Sequence, residues 1–279
     1  MPDVKRDADP FQALYGVVGH PVRHSLSPFL HSWAFAHLDI PAVYMKWDIG
    51  PENFDAFMVA VRVLPILGVS VTLPHKQRVI PYLDHMTPEA MAIEAVNTIF
   101  WKQGELWGSN TDCMGIQWPL QEQSIQPDSA LVLGAGGAAL AAVAALRSLG
   151  CERIYLSSRD QSKAAGAVCG SDVHIVPWED RGDCTVDVLI NSTPLGMAGK
   201  LEDMTPWPNG RSLSAVRWVF DLVYTPIETR LLQEAAEQGC GTISGLHMFV
   251  HQALGQCRAW TGRGFDPQAA MAYLRDWMS

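Results

Sequence analysis

In the stretch GHPVRHSLSP (19–28) two hydroxyls, Ser25 and Ser27, stand two residues apart just ahead of Pro28. A residue before proline is biased toward extended backbone, and alternation along an extended segment puts both hydroxyls on one side. Ser27 also reads as the N-cap of a helix over 28–38, whose dipole favours an anion at that end. The pair therefore suits a small anion, or else Ser27 serves only as a cap. In SVTLPHK (70–76), Ser70, Thr72 and Lys76 follow an apolar run that reads as a strand over 68–71. Sites of α/β folds gather at strand ends, and a partly desolvated lysine there is suited to acid–base work. The alternative for Lys76 is an ordinary solvated lysine. In SNTD (109–112), Asp112 could supply a partner carboxylate, or the segment is a turn with a helix cap. Asn97-Thr98 reads equally well as a hydrogen-bonded turn.

A different chemistry is written in ALVLGAGGAA (130–139), where Gly134, Gly136 and Ala139 fit G-x-G-x-x-G/A between an apolar strand and an alanine-rich helix. The first glycine permits a tight turn, the second lets a pyrophosphate approach bare backbone, and the small third residue lets the helix pack on its strand. The helix N-terminus then offers N–H groups to the anion. Ser158, Arg159, Asp160 and Lys163 follow about 24 residues beyond Gly134, where such folds read the adenosine ribose. Arg159 and Lys163 suit a 2′-phosphate, and Asp160 suits a free 2′-hydroxyl. His247 and His251 have the i, i+4 spacing of paired metal ligands, but no acidic residue stands between them and no third ligand is evident. No metal site is expected.

Positioning these groups requires strands alternating with helices. Strands are expected over 14–18, 43–48, 68–71, 131–133, 153–157, 186–190 and 218–221, with two short ones around Ile99 and Leu106. Helices are expected over 28–38, 54–63, after Pro88, from Met114, after the glycine turn, and over 227–238, 245–260 and 267–278. This alternation predicts βαβ units and mainly parallel sheets. A chain of 279 residues is enough for two cores. The chargeless run over 130–146 is too short and too rich in glycine and alanine for a membrane span, and a strand plus a buried helix explains it better. The opening MPDVKRDADP shows no apolar leader, and six cysteines without C-x-x-C spacing read as free thiols in a reducing cytoplasm. A net charge of −9 argues against a nucleic-acid surface. An anionic ligand must then be met by local cations and neutral donors.

Taken in order, the motifs resemble the shikimate dehydrogenase family. GHPVRHSLSPFLH resembles its substrate-carboxylate loop, SVTLPHK its catalytic lysine segment, and EAVNT (94–98) and SNTD its two substrate loops. GAGGA (134–138) is similar to its cofactor turn and NSTPLGM (191–197) to its nicotinamide-side loop. DLVYTPIETRLL (221–232) and GLHMFVHQA (245–253) resemble its C-terminal signatures. The likeness runs from Gly16 to Trp260. It departs from the family at Ser70, where Asn is usual, at Glu94 (Gly), Leu140 (Arg), Ser158 (Asn) and Asp160 (Thr).

The resemblance implies a two-domain α/β protein. An N-terminal, mainly parallel substrate domain (1–113, completed by helices within 247–279) is followed by a Rossmann-like NADP-binding domain (114–246), with a cleft between them. Lys76 and Asp112 would handle the proton. Ser25, Ser27, Thr72, Asn97, Tyr224 and Gln252 would bind shikimate. Gly134, Ala135, Gly136, Gly137, Ala138, Ser158, Arg159, Lys163, Thr193, Leu222 and Gly245 would line NADP, with NAD possible. The implied activity is reversible reduction of 3-dehydroshikimate in aromatic amino-acid and chorismate biosynthesis, by a cytoplasmic monomer or homodimer that engages neither nucleic acid nor membrane. A quinate/shikimate dehydrogenase using NAD and an inactive nucleotide-binding regulator are the alternatives.

Overall fold

A computed structural model describes residues 13–167 and 172–278. The polar N-terminal segment and Cys169 lie outside the described residues. The chain divides into two compact units, Met1–Thr111 with Ala253–Ser279, and Asp112–Gln252.

The first unit contains β1 (Ala13–Gly19), α1 (Ser27–His37), β2 (Ala42–Asp48), α2 (Phe54–Val63), β3 (Ile66–Val71), β4 (His85–Met86), α3 (Pro88–Ile93), β5 (Thr98–Lys102) and β6 (Glu105–Ser109). Its sheet has the order β2-β1-β3-β5-β6-β4. β1 lies parallel to β2 and β3, whereas β5 runs antiparallel to both β3 and β6. That reversal matters for the site, because β5 begins at the edge where β3 ends. Alternation along β1 sends Val18 into a core with Phe54, Met58, Val69 and Ile99, and Tyr15 and Val17 into a second with Phe35 and Tyr44. Fully burying one such side chain contributes about 1.5–3 kcal/mol.

The second unit contains α4 (Asp112–Glu122), β7 (Ser129–Leu133), α5 (Gly137–Ser148), β8 (Arg153–Ser157), α6 (Gln161–Ala167), β9 (Val173–Val176), β10 (Val186–Asn191), β11 (Val216–Asp221), α7 (Arg230–Glu237) and β12 (Gly241–Ile243). Every strand pair is parallel, in the order β12-β11-β10-β7-β8-β9. This is the Rossmann order, with its reversal between β7 and β10. The chargeless run over 130–146 is β7 followed by α5, whose Ala139, Ala141, Ala142 and Ala145 are fully buried. Among the described residues no helix is long and apolar enough to cross a membrane.

α8 (Gly245–Thr261) passes from the second unit into the first, and α9 (Pro267–Met278) closes the chain. Trp260 of α8 packs against β3 at Gly68. A Cβ at Gly68 would stand 2.3 Å from its ring, and its Nε1 donates to the Ile99 carbonyl at 2.9 Å. Only glycine admits the ring that close.

Three expectations need correction. The helix expected over 227–238 starts at Arg230, because Thr229 Oγ1 accepts from the Leu232 N–H and caps it. The helix from Ser27 is not capped by the Ser27 side chain. Ser27 is already helical, and Ser25 Oγ accepts its N–H at 3.3 Å. The segment ahead of Pro28 is also not extended, since Leu26 has helical φ and ψ. The strands β4, β9 and β12 have two to four residues each and carry too little pattern to announce themselves. Cys113, Cys151, Cys184, Cys240 and Cys257 are free thiols.

Candidate functional site

In the first unit the polar groups collect at one end of the sheet. Gly19 ends β1, Thr72 follows β3, Asn97 precedes β5 and Thr111 follows β6. Asn97 is 2% exposed and its Oδ1 gathers three donors, the Thr111 N–H (2.8 Å), Thr111 Oγ1 (3.2 Å) and Thr98 Oγ1 (2.6 Å). Asn97-Thr98 is thus a knot tying the starts and ends of two strands, and it still borders the same edge. Ser25 donates to Ser27 Oγ at 3.1 Å. The hydroxyls meet because a helical turn at Leu26 brings them together, not because a strand alternates. Lys76 and Thr72 are half-buried, and the Lys76 carbonyl accepts from the Val96 N–H at 2.8 Å, tying the lysine segment to the chain entering β5.

Between them these groups offer hydroxyl and amide donors with one ammonium. That set suits a small acid bearing several hydroxyls. Such a set could hold that ligand without a strongly basic surface, in keeping with a net charge of −9.

In the second unit the groups sit at the C-terminal ends of parallel strands. Gly134 has φ +117° and a Cβ there would meet Ser192 Oγ at 2.5 Å, so both conformation and space demand glycine. Ser192 follows β10, so Gly134 lies at the point where the strand order reverses. Gly136 and Gly137 have open space where a Cβ would stand, and α5 begins there with its first N–H groups free of side-chain caps. Ala135 and Ala138 flank them. This cradle fits a pyrophosphate on backbone N–H groups. Arg159 and Lys163 are exposed beyond β8, the strand next to β7, where they can meet a phosphate. Asp160 does something the sequence reading missed. Its Oδ1 accepts from the Lys163 N–H at 2.9 Å and caps α6, while its own N–H donates to Ser158 Oγ.

Thr193 and Leu222 are held by Asn191. Its Oδ1 accepts from the Thr193 N–H and hydroxyl, and its carbonyl accepts from the Leu222 N–H. Gly245 is buried and donates to the Val223 carbonyl at 3.3 Å. Behind them lies Asp221, with no exposed surface. It accepts from Asn191, the Val223 N–H and Thr229, yet burial dominates and pushes its carboxyl up to about 6. Asn191 and Asp221 were not singled out from sequence. Their only signal was that each is polar at the end of an apolar strand.

Asp112 opens α4 and is 6% exposed. Tyr224 stacks on Phe249 at 4.9 Å and burial pushes its hydroxyl up. Gln252 Nε2 donates to the Phe249 carbonyl one turn back in α8. His251 has both ring nitrogens occupied, by the His247 carbonyl (2.8 Å) and Glu122 Oε1 (2.9 Å), so the i, i+4 pair is not turned toward a shared ligand. Among the described residues no three His, Cys, Asp or Glu side chains are grouped to hold a metal.

Residues 17–99 match the shikimate dehydrogenase substrate binding domain. A shikimate dehydrogenase (NADP+) of Pelobacter propionicus is 46% identical over 266 residues, covering 95% of this chain and 96% of that protein. Its counterpart in Maridesulfovibrio salexigens is 44% identical over 264 residues, 94% and 96% of the two chains. Shikimate 5-dehydrogenase from Thermus thermophilus, solved with NADP(H) and shikimate, aligns with a TM-score of 0.86 at 34% identity, covering 95% of this chain and 99% of that one. Identity of this order along nearly the full length of both partners is shared descent, and the chain belongs to the shikimate dehydrogenase family.

Proposed function

We infer that the chain catalyses the reversible, NADP-dependent reduction of 3-dehydroshikimate to shikimate, a step of aromatic amino-acid biosynthesis. The observation that carries this reading is the pairing of two unlike edges in one chain. One sheet end is lined with hydroxyls, an amide and a lysine, and the other is a glycine cradle at the reversal point of a Rossmann sheet. When bound, the nicotinamide supplies or accepts the hydride. The chain's own residues do the rest. We assign Ser25 and Ser27 to the substrate carboxylate, and Thr72, Asn97, Tyr224 and Gln252 to its hydroxyls and their surroundings. Lys76, with Asp112, gives a proton to the carbonyl oxygen in reduction and takes it back in oxidation.

For the cofactor we assign residues 134–138 to the pyrophosphate, Ser158, Arg159 and Lys163 to the ribose phosphate, and Thr193, Leu222 and Gly245 to the nicotinamide side. The capping role of Asp160 supports NADP, because a carboxylate engaged with a helix terminus competes less for the ribose. The free thiols and the pathway fit a cytoplasmic enzyme, and we assign residues 1–113 with 247–279 to substrate and 114–246 to cofactor.

A steady-state assay pairing shikimate or quinate with NADP+ or NAD+ tests the reading. The highest kcat/KM is expected for shikimate with NADP+. Highest kcat/KM for quinate with NAD+ would transfer the assignment to a quinate/shikimate dehydrogenase, and absence of turnover in all four pairings would leave a nucleotide-binding regulator.

A further inference from the structure

We propose that Gly115 is a positioning residue for Asp112 and Gln252, its missing side chain setting the spacing of α4 and α8 at which both reach one substrate. The inference rests on the assignment of Asp112 and Gln252 to the substrate. All the residues concerned, those of α4 and Met248 to Gln252 of α8, lie in the second unit.

Asp112 and Gly115 are three residues apart in α4 and share one face of that helix. Met248 and Gln252, four apart in α8, share a face in the same way. The two faces meet at Gly115, which is buried. A Cβ there would stand 2.8 Å from the Met248 carbonyl oxygen, 3.0 Å from Gln252 Cβ and 3.1 Å from Met248 Cγ. The nearest of these atoms is backbone. A flexible side chain could turn aside, but a helix carbonyl cannot, so any residue larger than glycine must push the helices apart.

α4 cannot hold that spacing by its own hydrogen bonds. Pro119 lacks the N–H that would bind the Gly115 carbonyl four residues back, so the turn over 115–119 is one bond short. Further along, α4 is fastened to α8 at a second point. Glu122 Oε1 and His251 Nε2 meet at 2.9 Å, and the Trp118 ring packs edge-on against His251, 6.0 Å between centroids and 79° between planes. Widening the contact at Gly115 while this end stays fastened turns α4 about the fastening. Asp112, at the opposite end of the helix, then moves furthest and is carried away from Gln252. A misplacement of about 1 Å in a reacting group can cost about 100-fold in rate. Gly115 touches no reacting atom in this account. It acts through Asp112 and Gln252.

The test is steady-state kinetics of Gly115→Ala, alone and in a Gln252→Ala background. Gly115→Ala is expected to lower kcat about 10- to 100-fold through Asp112. It should also raise KM for shikimate about 3- to 10-fold through Gln252, with KM for NADP+ within about twofold. Alanine is a better helix former than glycine, so a weakened α4 does not account for the loss. Gln252→Ala keeps the Cβ that a side chain at 115 would meet, so the helices are still pushed apart. In that background Gly115→Ala should still lower kcat but no longer raise KM. A full repeat of the KM rise there, a KM for NADP+ that rises alongside that for shikimate, or wild-type kinetics in Gly115→Ala overturns the proposal. Should Gly115→Ala not fold, Met248→Ala loosens the same contact from α8 without adding an atom. Its kcat is expected to fall at least about threefold, and unchanged kcat and shikimate KM there overturn the proposal. Unchanged kinetics in both Asp112→Asn and Gln252→Ala would instead remove the assignment on which the inference stands.

Discussion

The two units are built from sheets of the same size, and on the proposed assignment they meet a ligand by opposite means. In the first, the groups assigned above to the substrate, Ser25, Ser27, Thr72, Lys76 and Asn97, would work through their side chains. The Asn97 amide among them is held by the buried Thr98 and Thr111. In the second, the cradle at Gly134, Gly136 and Gly137 works by what is missing, exposing backbone where side chains would block it. Here the polar residues behind the surface, Asn191 and Asp221, hold loops in place. A polyhydroxy acid differs from its rivals in the placement of its hydroxyls, so side chains must discriminate. A pyrophosphate is the same in every dinucleotide, and backbone N–H groups suffice.

This contrast is broken most directly at Lys76. Lys76→Ala should lower kcat by roughly 10²- to 10⁴-fold, the usual contribution of a positioned proton donor, with a smaller change in shikimate KM. Steady-state kinetics would show loss confined to KM if the lysine only binds, and the first unit would then be a binding surface alone.

A smaller effect is expected where the second unit must tell one cofactor from the other by a side chain. Arg159→Ala should erode the preference for NADP+ over NAD+ in kcat/KM by roughly 10- to 100-fold, about 1.4 to 2.8 kcal/mol, with NAD+ turnover nearly untouched. An unchanged preference would mean that backbone alone reads the ribose.

The buried titratable groups sharpen the comparison, because they give the units opposite pH dependence. Burial lowers His31 from its ordinary 6.5 to about 3, so below pH 6.5 the unfolded chain binds a proton that the native one refuses. Stability of the first unit should rise with pH across that window. Asp221 is raised from 3.8 to about 6, so the native chain keeps a proton that the unfolded one has released, and stability of the second unit should fall as pH rises from 4 to 6. Each change is about 2 to 3 kcal/mol. Amide hydrogen exchange on β1 and β3 against β10 and β11, corrected for intrinsic rates between pH 4 and 6.5, should give slopes of opposite sign. Slopes of one sign would contradict the assignment.

The same contrast governs what could be read from the sequence. A backbone site leaves a local signature, and Gly134 to Ala139 announced strand, turn and helix within ten residues. The helix Pro267–Met278 was equally plain from its opening proline and apolar spacing. A side-chain site is assembled from afar. Asn97 and Gln256 are bonded across 159 residues of sequence, and no local rule links them. Local chemistry also misled where two residues could do one job. Ser25 rather than Ser27 accepts the first helical N–H, and Asp160 caps a helix where the sequence offers a ribose contact. Glu94 stands at φ +53° at the end of α3, the position where the resemblance leads to an expectation of glycine. That departure, visible in the sequence, marks a left-handed residue only the structure could reveal.

The central claim is that the substrate carboxylate is seated by side chains, Ser25 and Ser27 of the first unit, and the cofactor pyrophosphate by bare backbone in the second, and a crossed titration tests it most directly. Shikimate and NADP+ are titrated separately by calorimetry into three proteins, wild type, Ser25→Ala with Ser27→Ala, and Gly136→Val. Gly136 has φ −93° and open space around its Cα, so valine keeps the fold and only fills the cradle. The serine variant should bind shikimate at least about 10-fold more weakly and NADP+ as before, and the valine variant should do the reverse. Either variant weakening both ligands alike, or Gly136→Val leaving NADP+ affinity intact, would contradict the account.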